Sequence, residues 1–155
     1  MVQLNVGDAA PKFELSDQHG NTVKLAQFKG QRVVVYFYPR ADTPGCTTQS
    51  CEVRDAFPAF AKLNAVVLGV SADTPAKQLK FDEKYELGFP LLADTEHAMA
   101  EAFGVWAEKM NYGKKYMGIV RSAFVIDEKA KIAATFYKVS PKDTVPKVTS
   151  FLEGA

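Results

Sequence analysis

Cysteine and histidine are rare in this chain, and neither sign of charge dominates. Its 155 residues include two cysteines and two histidines, and 19 basic residues nearly balance 18 acidic ones. Two cysteines are too few for a disulfide framework, and with the distant His19 and His97 they do not make a four-ligand zinc pattern, so we expect no metal and no other cofactor. A formal net charge of +1 leaves no basic stripe that would bind nucleic acid.

Long apolar runs are absent as well. No stretch reaches the roughly 18 residues of a membrane-spanning helix, and no charged leader precedes an apolar segment near the start of the sequence. We therefore expect no membrane partner and a cytoplasmic location. The sequence also contains no repeat, low-complexity tract or linker, so its 47% hydrophobic residues are expected to form the core of one domain over residues 1–155.

Two continuous apolar runs predict strands that are buried on both faces. "RVVVYFY" (residues 32–38) and "AVVLGVS" (residues 65–71) are rich in β-branched and aromatic residues. Between them, over residues 43–64, apolar residues recur at helical spacing, and Pro58 is expected to kink or interrupt this helix. A strand, a helix and a second strand in this order make a βαβ unit, which predicts parallel strands.

The remaining segments are predicted from turn and capping signals. A helix over residues 74–88 opens with Thr74 and Pro75, a hairpin joins "SAFVID" to "KIAATFYKV", and "SPKDTVPKVTSFL" ends the chain as an amphipathic helix. Before the first buried strand, a short hairpin with its turn at His19 is followed by a helical turn at residues 25–28. Residues 91–118 are expected to be less regular.

This order of elements predicts the fold. A βαβ unit, a further helix and a closing ββα unit are the two halves of a thioredoxin-like domain. The expected fold class is therefore α/β, namely a thioredoxin-like fold with an N-terminal β-hairpin extension and an insertion at residues 89–118 before the final ββα unit.

The two cysteines lie in "TPGCTTQSC", at the predicted start of the first long helix. Thr43 is expected at the N-cap, Pro44 at the first helical position and Cys46 at the third. Backbone N–H groups in a first turn have no intrahelical acceptor, and the helix end carries about half a positive charge. The position of Cys46 therefore favours its thiolate form.

On an intact helix the two thiols cannot reach each other. At about 100° per residue, Cys46 faces the core side with Val53, and Cys51 points roughly 160° away from that side. Along the axis the two are about 7.5 Å apart, beyond the Cα separation of roughly 4.4–6.8 Å that a disulfide requires. Both could be inert small hydrophobes. Placement of Cys46 at a helix start after a buried strand instead favours a reactive thiol, although the spacing is not Cys-x-x-Cys.

At this point the sequence resembles the peroxiredoxins. Pro39, Thr43 and Cys46 match that family's Pro-x-x-x-Thr-x-x-Cys signature, and "GIVRSAFVID" matches its later arginine, here Arg121. Cys51, five residues after the first cysteine, and the segment "FGVWAEKMNYGKKYMGIVRS" are similar to the subfamily called peroxiredoxin Q or bacterioferritin comigratory protein. The resemblance extends over residues 6–152.

The resemblance implies a thiol peroxidase that reduces hydrogen peroxide and small organic hydroperoxides. Cys46 would become a sulfenic acid, and Cys51 would condense with it to an intramolecular disulfide that thioredoxin or a similar dithiol reduces. Arg121 and Thr43 would stabilise charge on the reacting oxygens. The resemblance also makes a monomer the default expectation, and the helix geometry then predicts that the segment carrying both thiols unwinds in each cycle.

Two further residues complete the expected substrate-binding set. Pro39 would shield the thiolate from water without offering a competing N–H donor. The backbone N–H groups of Gly45 and Cys46 would add to the stabilisation of the developing charge.

Several interpretations stay open at this level. Gln49 either orients the site or is a buried polar residue satisfied by backbone. Aromatic residues of the insertion either line a hydroperoxide pocket or pack in the core or a loop; they are Trp106, Tyr112 and Tyr116. Arg54 and Asp55 are expected on a solvated or ion-paired helix face, and both histidines on the surface.

Two other functions compete with the peroxidase. One is a thiol–disulfide oxidoreductase acting on protein substrates, which the absence of Cys-x-x-Cys disfavours. Thioredoxins also place a proline where this chain has Val120, Arg121 and Ser122. The other is a thioredoxin-fold binding or chaperone module with incidental thiols.

Overall fold

The computed structural model describes residues 3–154. In chain order its strands and helices are β1 (Glu14–Ser16), β2 (Thr22–Lys24), a 3₁₀ turn (Leu25–Phe28), β3 (Arg32–Phe37), α1 (Pro44–Lys62), β4 (Ala65–Ser71), α2 (Pro75–Tyr85), β5 (Leu91–Ala93), α3 (Ala98–Ala102), β6 (Trp106–Asn111), β7 (Lys114–Ile119), β8 (Ser122–Ile126), β9 (Ile132–Phe136) and α4 (Thr144–Gly154). The predicted N-terminal hairpin and helical turn are both present.

A five-stranded mixed sheet with the order β5-β4-β3-β8-β9 forms the centre of the fold. Strands β3, β4 and β5 are parallel, and β8 and β9 run antiparallel to them. The predicted βαβ unit and closing ββα unit are therefore confirmed, and so is the thioredoxin-like fold class. The turn between β8 and β9 lies at residues 127–131, where Ala130 has a positive φ of 62°.

Both faces of this sheet are covered, which explains the continuous apolar runs. Val34 and Tyr36 of β3 pack with the buried sides of α1, α2 and α4. Val33, Val35 and Phe37, which alternate with them, pack with the N-terminal hairpin and α3 on the opposite face. A strand with both faces buried carries apolar residues at successive positions, as β3 does from Val33 to Phe37.

Pro58 is predicted to kink or interrupt the helix, and it does not interrupt it. Helix α1 continues through it from Pro44 to Lys62, although a proline removes the hydrogen bond that its N–H would donate to the carbonyl of Arg54. Pro58 itself is exposed, and the side chains of Val53 and Phe60 on either side of it are buried against the sheet. Packing of both halves of the helix outweighs the missing hydrogen bond.

The stretch over residues 91–118 is more regular than predicted. Its first residues form β5, which pairs with β4 and belongs to the central sheet, so the insertion begins only after Ala93. Strands β6 and β7 then form a separate antiparallel hairpin. Its two-residue loop is Tyr112 and Gly113, with φ of 51° and 77°. Two residues with positive φ are typical of a type I′ hairpin turn, and Gly113 is the sequence signal for it.

The last helix is present, but it starts later than the segment "SPKDTVPKVTSFL" predicts. It begins at Thr144, which places Pro146 in the first turn, where the missing N–H costs no intrahelical bond. Val148 and Leu152 are buried and Val145 is half-buried, as expected for the inward face. Within residues 3–154, no helix has the length and apolar character needed to cross a bilayer.

Candidate active site

The site begins in the loop that joins β3 to α1. The N–H of Ala41 donates to Asp73 Oδ2 over 2.7 Å, which ties the loop to the end of β4. Asp42 adopts a left-handed conformation with φ of 61° and accepts hydrogen bonds from Lys84 Nζ (3.0 Å) and Tyr85 OH (2.8 Å) of α2. These contacts fix the direction in which the chain enters α1.

Thr43 occupies the N-cap position, as predicted, but its hydroxyl does not cap the helix. It donates instead to the carbonyl of Arg40 over 2.8 Å. A capping hydroxyl would have accepted from the N–H of Gly45 or Cys46, the second and third helical residues. Within residues 3–154 neither N–H has an acceptor, so both remain available to an anion at the start of α1.

Cys46 lies beneath the guanidinium of Arg121. Its side chain is fully buried, and Arg121 Nη2 donates to Cys46 Sγ over 3.4 Å. Gly45 makes this approach possible: a Cβ atom there would lie 3.2 Å from Arg121 Nη2 and 3.3 Å from Pro141 Cγ. Arg121 thus brings a permanently charged donor into contact with the sulfur of Cys46.

The guanidinium is held in turn by a chain of buried and partly buried hydrogen bonds. Arg121 Nη1 donates to Gln49 Oε1 over 2.7 Å, and Gln49 Nε2 donates to Thr144 Oγ1 over 2.8 Å. The hydroxyl of Thr144 donates to the Ser140 carbonyl over 2.9 Å. Gln49, fully buried, is therefore satisfied by side chains and orients the arginine.

Sequence reasoning did not identify Ser140 and Thr144 as part of the site. Thr144 lies 95 positions after Gln49 and reaches it because α4 packs against α1, and Ser140 joins through its hydrogen bond to Thr144. The sequence offers only a weak signal, a serine and a proline just before the final helix.

Cys51 lies on the same unbroken helix, and both cysteines are free thiols. It is half-buried, so it is less exposed than the predicted outward direction implies. The adjacent Ser50 is fully buried, and its hydroxyl shares a 2.8 Å hydrogen bond with the hydroxyl of Tyr36 in β3. Burial raises the pKa of Tyr36 far above its ordinary value, so this hydroxyl stays protonated.

A cavity of about 880 Å³ opens at Cys46. The predicted site residues Pro39, Thr43 and Arg121 line it on one side. The insertion supplies a further part of the wall through residues of β6 and β7, which include Trp106, Lys109, Tyr116 and Met117. Of the predicted site residues, four line this one cavity: Pro39, Thr43, Cys46 and Arg121. Gly45 does not line it but lies next to the guanidinium of Arg121. Cys51 does not line the cavity.

The three aromatic residues of the insertion have different positions. Trp106 and Tyr116 line the cavity. Tyr112 lies at the hairpin turn, where 97% of its surface is exposed. His97 stacks on Trp106 with ring centroids 4.1 Å apart, which fixes the indole at the cavity wall.

The remaining expected positions are surface features. Arg54 pairs with Asp55 at 3.0 Å and donates to the Tyr85 carbonyl, so the prediction of an ion-paired helix face is confirmed. His19 is exposed in the turn between β1 and β2. Residues 3–154 contain no group of three or more histidine, cysteine, aspartate or glutamate side chains that would hold a metal ion.

A buried cysteine in the first turn of a helix, in contact with an arginine and bordering a cavity, fits a thiol peroxidase of thioredoxin-like fold. The sequence profile of the AhpC/TSA family matches residues 6–135. The chain therefore belongs to this family, and within it to the peroxiredoxin Q or Bcp group.

Individual relatives agree with this assignment over nearly the whole chain. Peroxiredoxin Bcp of Bacillus subtilis (strain 168) is 49% identical over 152 residues, which are 98% of this chain and 97% of the relative. The crystal structure of a cysteine-to-serine mutant of PrxQ from Xylella fastidiosa superposes with a TM-score of 0.94 at 30% identity and covers 99% of this chain and 98% of its own.

A third relative is the bacterioferritin comigratory protein of Xanthomonas campestris. Its structures, described with its alkyl peroxide reduction activity, superpose with a TM-score of 0.87 at 34% identity and cover 92% of this chain and 90% of their own.

Proposed function

We propose that this peroxiredoxin reduces hydrogen peroxide and organic hydroperoxides with Cys46 as the nucleophile and Cys51 as the resolving thiol. One observation carries the proposal: the sulfur of Cys46 is fully buried, lies 3.4 Å from Arg121 Nη2 and borders a cavity of small-molecule size. A nucleophile with no exposed surface suits a small peroxide better than a folded protein substrate. We therefore favour the peroxidase over the thiol–disulfide oxidoreductase.

In the first step, the Cys46 thiolate attacks the terminal oxygen of the peroxide. The S–O bond forms while the O–O bond breaks, and the electron pair moves to the departing oxygen, which takes up a proton and leaves as water or an alcohol. Arg121, in contact with the sulfur, and the N–H groups of Gly45 and Cys46, which have no acceptor within residues 3–154, would stabilise the negative charge that develops on the oxygens. Thr43, whose proton is bound to the Arg40 carbonyl, offers its oxygen as an acceptor for the peroxide O–H.

Pro39 serves the same step from the cavity wall that also includes Thr43 and Arg121. It lines the cavity, is half-buried, and carries no N–H that would compete for the thiolate.

In the second step, the Cys51 thiol attacks the sulfur of the Cys46 sulfenic acid and releases water. About 7.5 Å of helix separates the two residues, which exceeds the reach of a disulfide. The first turns of α1 must therefore unwind. Gln49 and Ser50 lie between the two cysteines, so opening breaks their hydrogen bonds to Arg121, Thr144 and Tyr36.

The third step restores the dithiol. Thioredoxin or a similar dithiol donates two electrons to the Cys46–Cys51 disulfide by thiol–disulfide exchange, after which α1 refolds. A resolving thiol within the same chain requires no partner subunit, and this supports a monomer as the working form. The cytoplasm, where thioredoxin keeps thiols reduced, is the compartment in which this cycle would run.

Peroxide consumption coupled to thioredoxin and its reductase tests the proposal. Wild type should turn over repeatedly, and Cys46→Ser should be inactive. Cys51→Ser should consume one equivalent of peroxide and then stall unless an external thiol resolves it. The two variants are matched, since each removes one sulfur from the same helix. Turnover that survives in Cys46→Ser would contradict the assignment.

A further inference from the structure

Lys109 of β6 lines the cavity together with Arg121. Its aliphatic stem crosses Gly118 of β7, where a Cβ atom would lie 3.3 Å from Lys109 Cδ and 3.6 Å from Cε. The absence of a side chain at Gly118 therefore makes room for the lysine. Tyr116 pairs with Lys109 across the hairpin and lies on the same side. Lys109 is half-buried, and within residues 3–154 its ammonium has no hydrogen-bond or ion-pair partner.

The charges around this ammonium are unusual for a lysine. Burial lowers its pKa, the positive charge of Arg121 lowers it further, and a negative charge on Cys46 acts in the opposite direction. Other charged side chains that line the cavity are Arg40, Asp73 and Lys77. A lysine in this position releases its proton more readily than one at the surface.

The peroxidase step leaves a proton to be supplied. When the O–O bond breaks, the departing oxygen carries the electron pair and is a strong base until it is protonated. Arg121 retains its protons at neutral pH, and the Thr43 hydroxyl already donates to the Arg40 carbonyl. Lys77 and Tyr116 also line the cavity, but both are exposed. Of the three cavity-lining side chains that could donate a proton, Lys77, Tyr116 and Lys109, only Lys109 is half-buried.

We propose that Lys109 is the general acid of the peroxidase step: its ammonium donates a proton to the departing oxygen as the sulfur of Cys46 bonds to the other one. The thiolate, the hydroperoxide and the ammonium become a sulfenic acid, an alcohol or water, and a neutral amine. The amine then regains its proton from solvent. This inference rests on the proposed function, since it assigns one proton within that reaction.

Two oxidants separate proton donation from simple charge stabilisation. With tert-butyl hydroperoxide the leaving group is an alkoxide, which needs a proton. With peracetic acid it is a carboxylate, which needs none at neutral pH. The first step can be followed in a single turnover by the fluorescence of Trp106, the single tryptophan, which lines the same cavity. The readout is the ratio of the two rates, because any effect on the thiolate itself changes both.

Substitution of Lys109 should lower this ratio. Lys109→Met keeps the stem over Gly118 but has no proton to give, so we expect the rate with tert-butyl hydroperoxide to fall about 100-fold relative to the rate with peracetic acid. Lys109→Arg keeps the positive charge but does not release a proton at neutral pH, so it should give the same low ratio. Lys114→Met, which removes an exposed lysine of the same hairpin, should leave the ratio unchanged.

Three outcomes would overturn the inference. The first is a wild-type ratio in Lys109→Met, and the second is a ratio restored by Lys109→Arg, which would show that charge alone matters. In both cases the proposed peroxidase function would still stand. The third is a wild-type protein that reacts with neither oxidant, which would contradict the proposed function itself.

Discussion

Cys46 and Cys51 belong to the same helix, yet their surroundings differ in almost every respect. Cys46 is fully buried, its sulfur accepts a hydrogen bond from Arg121, and it borders the cavity. Cys51 is half-buried, and its sulfur has no hydrogen-bond partner within residues 3–154. The structure thus gives one thiol a side-chain partner and a place at the cavity, and gives the other neither within residues 3–154.

The difference corresponds to what the two proposed roles require. A nucleophile gains rate when the groups that stabilise the transition state are already in place. A resolving thiol must instead travel with its segment of helix. The hydrogen bonds of Gln49 and Ser50 hold the segment between the two cysteines in its folded position, so they favour the first step and oppose the second.

The largest effect is expected from Arg121, which contacts only Cys46 of the two thiols. Arg121→Met removes the donor to the sulfur and to the departing charge, so the single-turnover rate with hydrogen peroxide should fall about 100- to 1000-fold. Arg121→Lys keeps the charge but loses the planar fork and should recover only part of the rate. A wild-type rate in Arg121→Met would show that the surroundings of Cys46 do not matter.

Gly45→Ala should disturb the same contact from behind. The new methyl group would press on Arg121 Nη2 and on Pro141, and a small displacement of the guanidinium should slow the first step between about tenfold and 100-fold. Gly154→Ala is the matched control in α4, where nothing lies within 4 Å. Equal rates in the two variants, measured by Trp106 fluorescence, would argue against a positional requirement for the arginine.

Gln49→Leu should weaken the orientation of Arg121 without touching the cavity. It removes hydrogen bonds to Arg121 and Thr144, so the first step should slow about tenfold and the free energy of unfolding should fall by about 2 kcal/mol. Gln78→Leu is the control, since Gln78 is equally buried but bonds to Ser71 and Leu92. Denaturation should show that both variants lose stability. Single-turnover kinetics should show a slower first step in Gln49→Leu but not in Gln78→Leu. An equally slow first step in the two variants would contradict the account.

The smallest effect is expected at Tyr36 and concerns the second step. Tyr36→Phe removes the hydrogen bond to Ser50, which lowers the cost of opening α1 by about 1 kcal/mol, so the disulfide should form about fivefold faster. The first step should keep its rate. Tyr38→Phe is the control, because that hydroxyl bonds to Gln78, outside the cysteine segment. Quenched-flow thiol trapping measures the step, and an equal acceleration in both variants would count against the specific role of Ser50.

Local sequence signals predicted the parts of the fold that depend on near neighbours. The strand at residues 32–38, the helical turn at Leu25–Phe28 and the third-position cysteine of α1 all follow from runs and caps within a few residues. The hairpin of β6 and β7 is not predicted by the sequence, because most of its residues are half-buried or exposed. Ile119, at the end of β7, is its one buried residue, and the buried Val105 lies just before β6. Apolar alternation is weak in such strands.

The site was predicted in its residues but not in its contacts. Resemblance supplied Arg121, which lies 75 positions after Cys46, and no local pattern places these two in contact. The Thr43 hydroxyl points toward the Arg40 carbonyl, to which it donates, and not toward the N–H groups of the helix, from which a capping hydroxyl would accept. The link from Gln49 to Thr144 depends on how α4 packs on α1. These features follow from tertiary packing.

The central claim is that Cys46 and Cys51 join only after the first turns of α1 open. Hydrogen exchange of the reduced protein and of the protein oxidised with one equivalent of hydrogen peroxide, read by mass spectrometry, tests it most directly. The account predicts a Cys46–Cys51 disulfide together with lost protection of the backbone amides over residues 46–57, while β4 keeps its protection. A Cys46–Cys51 disulfide in a protein whose residues 46–57 remain as protected as in the reduced form would contradict it.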